Sequence, residues 1–184
     1  MRSSKRRLVW YLNPWRYMLF FLRHVFGLNG TRMLNFIVQR IFGINDNIPW
    51  QVHYTSRVSG NIEISPDVAN SFAVSGNCYI QGINGIRIGE GTIFAPGVKI
   101  ISANHSVGNL KAWDKARPIE IGRHCWLASN ATICPGVHIG DYAIIGANAV
   151  VTHDIPSLAV AVGVPAKVIK YRRIDDAVNE RKEE

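Results

Sequence analysis

Between residues 121 and 155 the chain returns to a branched aliphatic side chain at every sixth position: Ile121, Leu127, Ile133, Ile139, Ile145 and Val151. The residue after each is small, and the fifth position of each hexad holds Cys125, Ala131, Val137, Ala143, Ala149 or Ile155. A helix repeats its apolar face every 3.6 residues and a half-buried strand every second residue, so neither produces an unbroken period of six. That period is the pattern of a parallel β-helix, whose flat sides each take one repeat. Three sides close one triangular turn, which predicts that residues 18 apart stack: Ile121 under Ile139, Leu127 under Ile145, Ile133 under Val151. The aliphatic column fills the prism, and small fifth-place residues with Gly and Asn let the backbone turn at its corners.

Away from this stretch the pattern loosens. Residues 62–68 read as one step, and 88–93 and 94–99 are in register again. Residues 76–85 are irregular, with extra residues expected at the corners. The hexad breaks completely over 104–118 and resumes at Ile119, the signature of a loop extruded from a stiff scaffold. Such loops carry function more often than the scaffold does. Residues 163–170 read as a turn and a short closing strand, and 174–184 as a charged tail. Upstream, Asn13-Pro14 starts a helix that is apolar to residue 26 except for Arg16, Arg23 and His24. Thr31 caps a second helix with Leu34, Ile37, Val38 and Ile41 expected inward and Arg32, Asn35 and Gln39 on another face. The predicted fold is an all-β solenoid, a parallel β-helix of hexapeptide repeats, preceded by amphipathic helices and closed by a short C-terminal segment. Its parts are a basic, aromatic-rich arm (1–48), the β-helix domain (49–173, with the loop 104–118) and the tail (174–184).

Composition changes the picture at one end only. The 184 residues suit one domain plus an appendage, and 47% hydrophobic content with 18% charged residues suits a sizeable core. Cys78, Cys125 and Cys134 form no Cys-x-x-Cys pair, which argues against a disulfide framework and for a reducing cytoplasm. The net charge of +8 is uneven: residues 1–48 hold eight Lys or Arg against Asp46 alone. The first 50 residues also hold ten of the 18 aromatics. Such an arm fits an anionic partner, and with no nucleic-acid motif beside the charge, nucleic acid is not expected. Within the arm no uncharged run is longer than residues 8–15, too short to span a bilayer, and arginines interrupt any signal-peptide core. Two roles stay open for the arm. It can lie peripherally on the inner face of the cytoplasmic membrane, or pack on the end of the solenoid or a neighbouring subunit.

The chemistry concentrates at the foot of the loop, where Asn104 precedes His105. A histidine held there can serve as a general base near neutral pH, although an ordinary hydrogen-bonded loop histidine has the same spacing. His138, at a sixth-place corner, and His53, outside the strict repeats, read as bystanders. His124 and His153 lie within the repeats, where surface or ligand contacts are open to them.

Taken together, these residues resemble the hexapeptide-repeat acyltransferases with a left-handed β-helix. The likeness is to the maltose, galactoside, nodulation and polysaccharide O-acetyltransferases, and it covers about residues 60–173. It is carried by Asn104-His105, Pro118-Ile119-Glu120-Ile121-Gly122, Cys125-Trp126-Leu127-Ala128 and Pro135-Gly136-Val137-His138-Ile139-Gly140. Ile145-Gly146-Ala147, Val151-Thr152-His153-Asp154-Ile155-Pro156 and Gly163-Val164-Pro165-Ala166-Lys167-Val168-Ile169 continue it. The resemblance implies a homotrimer that uses acetyl-CoA and transfers the acyl group directly, with His105 deprotonating an acceptor hydroxyl. Trp126 matches a pocket tryptophan near the acyl group or acceptor. Ala128, Ser129, Ala147, Thr152 and His153 match contacts to the pantetheine and nucleotide, and Lys167 and Lys170 match basic positions near the phosphates. Trp113 and Asp114, in the loop, are placed to meet the acceptor.

Three departures qualify the match. The family often has Lys where His153 stands. An Asn expected on the preceding coil falls, by ungapped counting, on Ser75 with Asn77 two residues away, so that role has no occupant. The arm is also larger than small-sugar enzymes need, which points to a surface-polysaccharide or lipid-linked saccharide precursor as acceptor. A free sugar or antibiotic hydroxyl is the alternative. A γ-carbonic-anhydrase-like zinc site is a remote one, since the histidine spacings of 19, 14 and 15 contain no His-x-x-x-x-His pair and no metal is expected. A non-catalytic scaffold is the last.

Overall fold

The computed structural model describes residues 30–173 and Asp175. The first predicted helix and most of the tail lie outside these residues. Residues 30–36 form helix α1, which runs on into a π turn, Ile37–Ile41. The body begins with β1 (Arg57–Ile64), a 3₁₀ turn (Pro66–Val68) and the short helix α2 (Ala69–Val74). It continues through β2 (Tyr79–Ile88), β3 (Ile93–Phe94) and β4 (Lys99–Ile101). After β5 (His105–Ser106) and β6 (Asn109–Trp113) come β7 (Ile119–Ile121), β8 (Trp126–Leu127), β9 (Thr132–Ile133) and β10 (His138–Ile139). The last elements are β11 (Ile144–Ile145), β12 (Val150–Val151), β13 (Ala159–Val162) and β14 (Lys167–Tyr171).

These strands make three parallel walls. The first halves of β1 and β2 pair with β4, β9 and β12 to form wall 1. The second halves of β1 and β2 pair with β7 and β10 to form wall 2. Wall 3 stacks β3, β8, β11 and β13, with α2 in the place of its first strand. β1 and β2 therefore bend around a corner, and the pairing skips from Gly60↔Gly82 to Ile62↔Ile86 because β2 carries extra residues there. The predicted stacking is observed: Ile121 pairs with Ile139, Leu127 with Ile145 and Ile133 with Val151. All six are buried, and so is every fifth-place residue from Cys125 to Ile155.

The corners differ from expectation in which position turns. In the first five hexads the fourth place adopts the left-handed conformation: His124, Asn130, Gly136, Tyr142 and Asn148, with φ from 52° to 71°. Fifth-place residues point inward and fill the prism instead. His138 is not a corner residue; it lies in β10 with its side chain on the outer surface of wall 2.

Both ends of the prism are covered. At the first coil, Asn35 donates from Nδ2 to the Ala73 carbonyl and accepts from the Tyr54 amide. Gln39 donates from Nε2 to the carbonyls of Asn45, Ile48 and Trp50 and accepts from the Val52 amide. The expected inward face of the second helix is thus only partly kept, with Ile37 and Val38 half-buried. Asn35 and Gln39 are buried because they satisfy backbone groups at the open end of the coil, while Leu34 and Ile41 face outward. At the last coil, β14 runs antiparallel along β13, and the Ala166 amide donates to the Val150 carbonyl.

Candidate active site

The break in the hexad is a β-hairpin, β5 and β6, joined by Val107-Gly108 at the corner between walls 1 and 2. A two-residue link containing Gly is a standard hairpin turn, and that signal was present in the sequence. The hairpin is fixed to the coil beneath it. Ser102, fully buried, donates its amide to the Gln81 carbonyl, and the Ala103 amide donates to Gln81 Oε1. Asn84 donates from Nδ2 to the Ser102 and Asp114 carbonyls, both at 2.9 Å, while its own amide donates to Ser102 Oγ. The Asp114 amide closes the root by donating to the Asn104 carbonyl at 2.9 Å.

His105 is the first residue of β5 and pairs with Trp113 across the hairpin. Their rings stack at 3.9 Å between centroids with planes 27° apart. The indole covers one ring face, and the His105 side chain is exposed to solvent. Asn104, His105, Trp113 and Asp114 are therefore brought together. A surface depression of about 190 Å³, lined by Asn84, Gly85 and Pro118 among others, lies at the foot of this hairpin. A larger one of about 450 Å³ lies on wall 2 around Glu63, Arg87, Glu120 and His138, on the charged ladder described next.

The remaining residues singled out in the sequence occupy other edges. Ala128, Ser129 and Ala147 lie on the edge between walls 3 and 1, where the Asn148 amide donates to the Ser129 carbonyl. Thr152 and His153 lie on the edge between walls 1 and 2, the edge that carries the hairpin, with Thr152 Oγ1 2.9 Å from His153 Nδ1. Trp126 stands on the outside of wall 3, in a column with Ile93 and Ile144. Lys167 and Lys170 are exposed on β14. Wall 2 presents a charged ladder instead: Arg87 meets Glu63 at 3.3 Å and Glu120 at 2.8 Å, and His138 Nδ1 is 3.8 Å from Glu120.

Two acids brace the edges near these residues. The His138 amide and the Arg117 guanidinium, which makes a forked contact, hold Asp154 below the usual carboxylate range. Burial pushes Asp141 up, but the Arg123 amide and guanidinium outweigh that and hold it low. The thiols of Cys78, Cys125 and Cys134 are free, and burial pushes Cys125 up to about 11, as suits a core residue rather than a nucleophile. Among the described residues no three His, Cys, Asp or Glu side chains converge to hold a metal ion.

The bacterial transferase hexapeptide (six repeats) family model matches residues 118–153. Repeat and walls together make the fold a left-handed parallel β-helix of hexapeptide repeats. Over 116 residues it is 36% identical to galactoside O-acetyltransferase of Escherichia coli K12, covering 59% of this chain and 54% of that one. A hexapeptide-repeat acetyltransferase from Vibrio cholerae superposes with a TM-score of 0.50 at 25% identity, covering 66% of this chain and 65% of the other. That protein has also been solved with acetyl coenzyme A. A maltose O-acetyltransferase from Clostridium difficile 630 is 33% identical, with a TM-score of 0.49, over 65% of this chain and 60% of that chain. The chain thus spans between half and two thirds of the length of these proteins.

Proposed function

We propose that the chain is an acetyl-CoA-dependent O-acetyltransferase that acetylates a saccharide hydroxyl, with His105 as its general base. The observation that carries the reading is the His105 ring, stacked on Trp113 at the root of a pinned hairpin and open on its other side. An imidazole so held has one orientation and an accessible nitrogen, the two requirements of a positioned base. In the reaction an unprotonated ring nitrogen takes the proton of the acceptor hydroxyl as that oxygen bonds to the thioester carbonyl carbon. The carbon–sulfur bond then breaks, and the departing thiolate recovers the proton. No covalent enzyme intermediate is needed, and holding both substrates together supplies much of the acceleration.

The similar Vibrio cholerae protein binds acetyl coenzyme A, and in this chain Ala128 and Ala147 put only small side chains on the edge we assign to the pantetheine arm. Lys167 and Lys170 carry the charge its phosphates require. Ala128 and Ala147 lie on one edge of the prism and the hairpin, with Thr152 and His153, on another, so a complete site is formed between neighbouring copies, as in a homotrimer. The apolar column Ile93, Trp126 and Ile144 and the exposed hairpin side chains Val107 and Leu110 favour such packing. The basic arm makes a surface-polysaccharide or lipid-linked precursor, met at the cytoplasmic face of the membrane, the acceptor of choice. The test is thiol release from acetyl-CoA with a panel of saccharides. His105→Ala should lower kcat by about 10²- to 10⁴-fold; equal rates for both proteins would sink the mechanism.

A further inference from the structure

The helix at the head of the described chain buries amides and leaves large apolar side chains outside, with Ile37 and Val38 half-buried between them. Its buried side chains are amides, Asn35 and Gln39, while Met33, Phe36, Ile41 and Phe42 are 53%, 55%, 67% and 69% exposed. Leu34 is exposed beside them. With Asn35 and Gln39 turned inward, Met33, Leu34, Phe36, Ile41 and Phe42 make up the outward side of the helix and its π turn, over the end of the first coil. A soluble surface helix does the opposite, and an apolar stripe left outward in this way marks a contact.

We propose that this stripe is a docking surface for an anionic lipid bilayer. Charge selects the occupant. Arg32 and Arg40 flank the stripe, and among the described residues neither meets a carboxylate; they donate instead to the Asn70 side chain and to the Asp46 and Ile48 carbonyls. Asp46 is the one acid in residues 1–48, against eight Lys or Arg. Two copies meeting through this face would set four arginines against each other with only the two Asp46 carboxylates to answer them. A sheet of anionic headgroups answers them all, while the hydrocarbon just below takes the Phe, Ile, Leu and Met side chains. The stripe is also on the end of the prism, so its contact leaves all three walls free. Docked this way, the hairpin in the third coil stands two coil heights, about 10 Å, farther from the lipid. Placing a lipid-linked acceptor there rests on the acyl-transfer reading; the docking itself does not.

The test is flotation of the full chain with vesicles of phosphatidylglycerol and phosphatidylethanolamine, beside vesicles of phosphatidylcholine alone. Deleting residues 1–48 would be a poor probe, because it strips the Gln39 bonds and the buried Ile48 from the coil. The exposed triple substitution Phe36→Glu, Ile41→Glu, Phe42→Glu leaves that packing intact, which its melting temperature checks. Native protein should bind the anionic vesicles, less at high salt, and the triple variant should bind at least about tenfold more weakly. Arg32→Gln with Arg40→Gln should narrow the preference for anionic over neutral lipid. Equal vesicle binding by native and triple variant overturns the proposal. So does native protein that ignores vesicles, and so does a triple variant whose assembly falls apart on gel filtration, which would assign the stripe to another copy. Acetyl transfer to a free sugar without vesicles should be the same in both proteins. If neither protein transfers acetyl groups but the difference in vesicle binding persists, only the acyl-transfer reading fails.

Discussion

Asn84 donates through one amide group to both feet of the hairpin, the Ser102 and Asp114 carbonyls. Asn84→Ala removes both bonds, worth about 1–2 kcal/mol together. The Asp114 amide should then exchange hydrogen faster, and kcat should fall with KM little changed, because the base loses its fixed position while the binding edges keep theirs. Asp154 gives a pH prediction. An acid whose folded pKa is lowered adds stability above the ordinary carboxylate range, and that stability is lost as pH falls through the folded value. Asp154→Asn should therefore melt about 2–4 °C below native at neutral pH, for a half-exposed pair worth ~1 kcal/mol, and the gap should close in acid. His105 was legible in the sequence because the repeat stops beside it. Asn84 was not, since residues inserted near 83–85 spoil ungapped counting, although it precedes Ser102 by 18 residues, the interval that stacks the walls.

At the level of elements, the hexad specified the walls through its first place and the corners through its fourth. Ile133→Ala, at a fully buried step of wall 1, should cost about 2–5 kcal/mol in denaturant unfolding, because coils above and below cannot close on the cavity. Asn148→Ala should cost about 1 kcal/mol and Asn148→Gly almost nothing, because the position needs φ near +57° and only Ala resists it. The strands were readable because their side chains share one period. The left-handed fourth place was readable at Asn130, Gly136 and Asn148 but hidden at His124 and Tyr142, which do not look like turn residues. Those two rings stack at 5.1 Å, one corner above another, so a column of side chains supports a strained backbone there. The buried amides of helix α1 and its π turn were hidden for a related reason. A periodic apolar stripe shows that a helix has two faces, and the unpaired backbone groups at the coil end decided which one turned inward.

For the whole molecule, the edge of Ala128 and Ala147 and the edge of the hairpin lie apart on one prism. If neighbouring copies complete each other's sites, co-expressing His105→Ala with an edge variant such as Ala147→Trp should restore a fraction of the activity that each lacks alone. A monomeric site would show no rescue. The ends of the prism have a consequence of a different kind. A stack of parallel coils offers its last strand as a template for the next, and nothing in the repeat itself says when to stop. Here β14 stops it: an antiparallel strand cannot be extended in register by another coil, and Lys167 and Lys170 charge its rim. The turn before it also covers the end of wall 1. Truncation after Val162 should thus convert a discrete particle into end-to-end filaments, visible as concentration-dependent light scattering. The closing strand acts as a polymerisation terminator, and it lets a sequence built for open-ended growth remain a molecule of finite length.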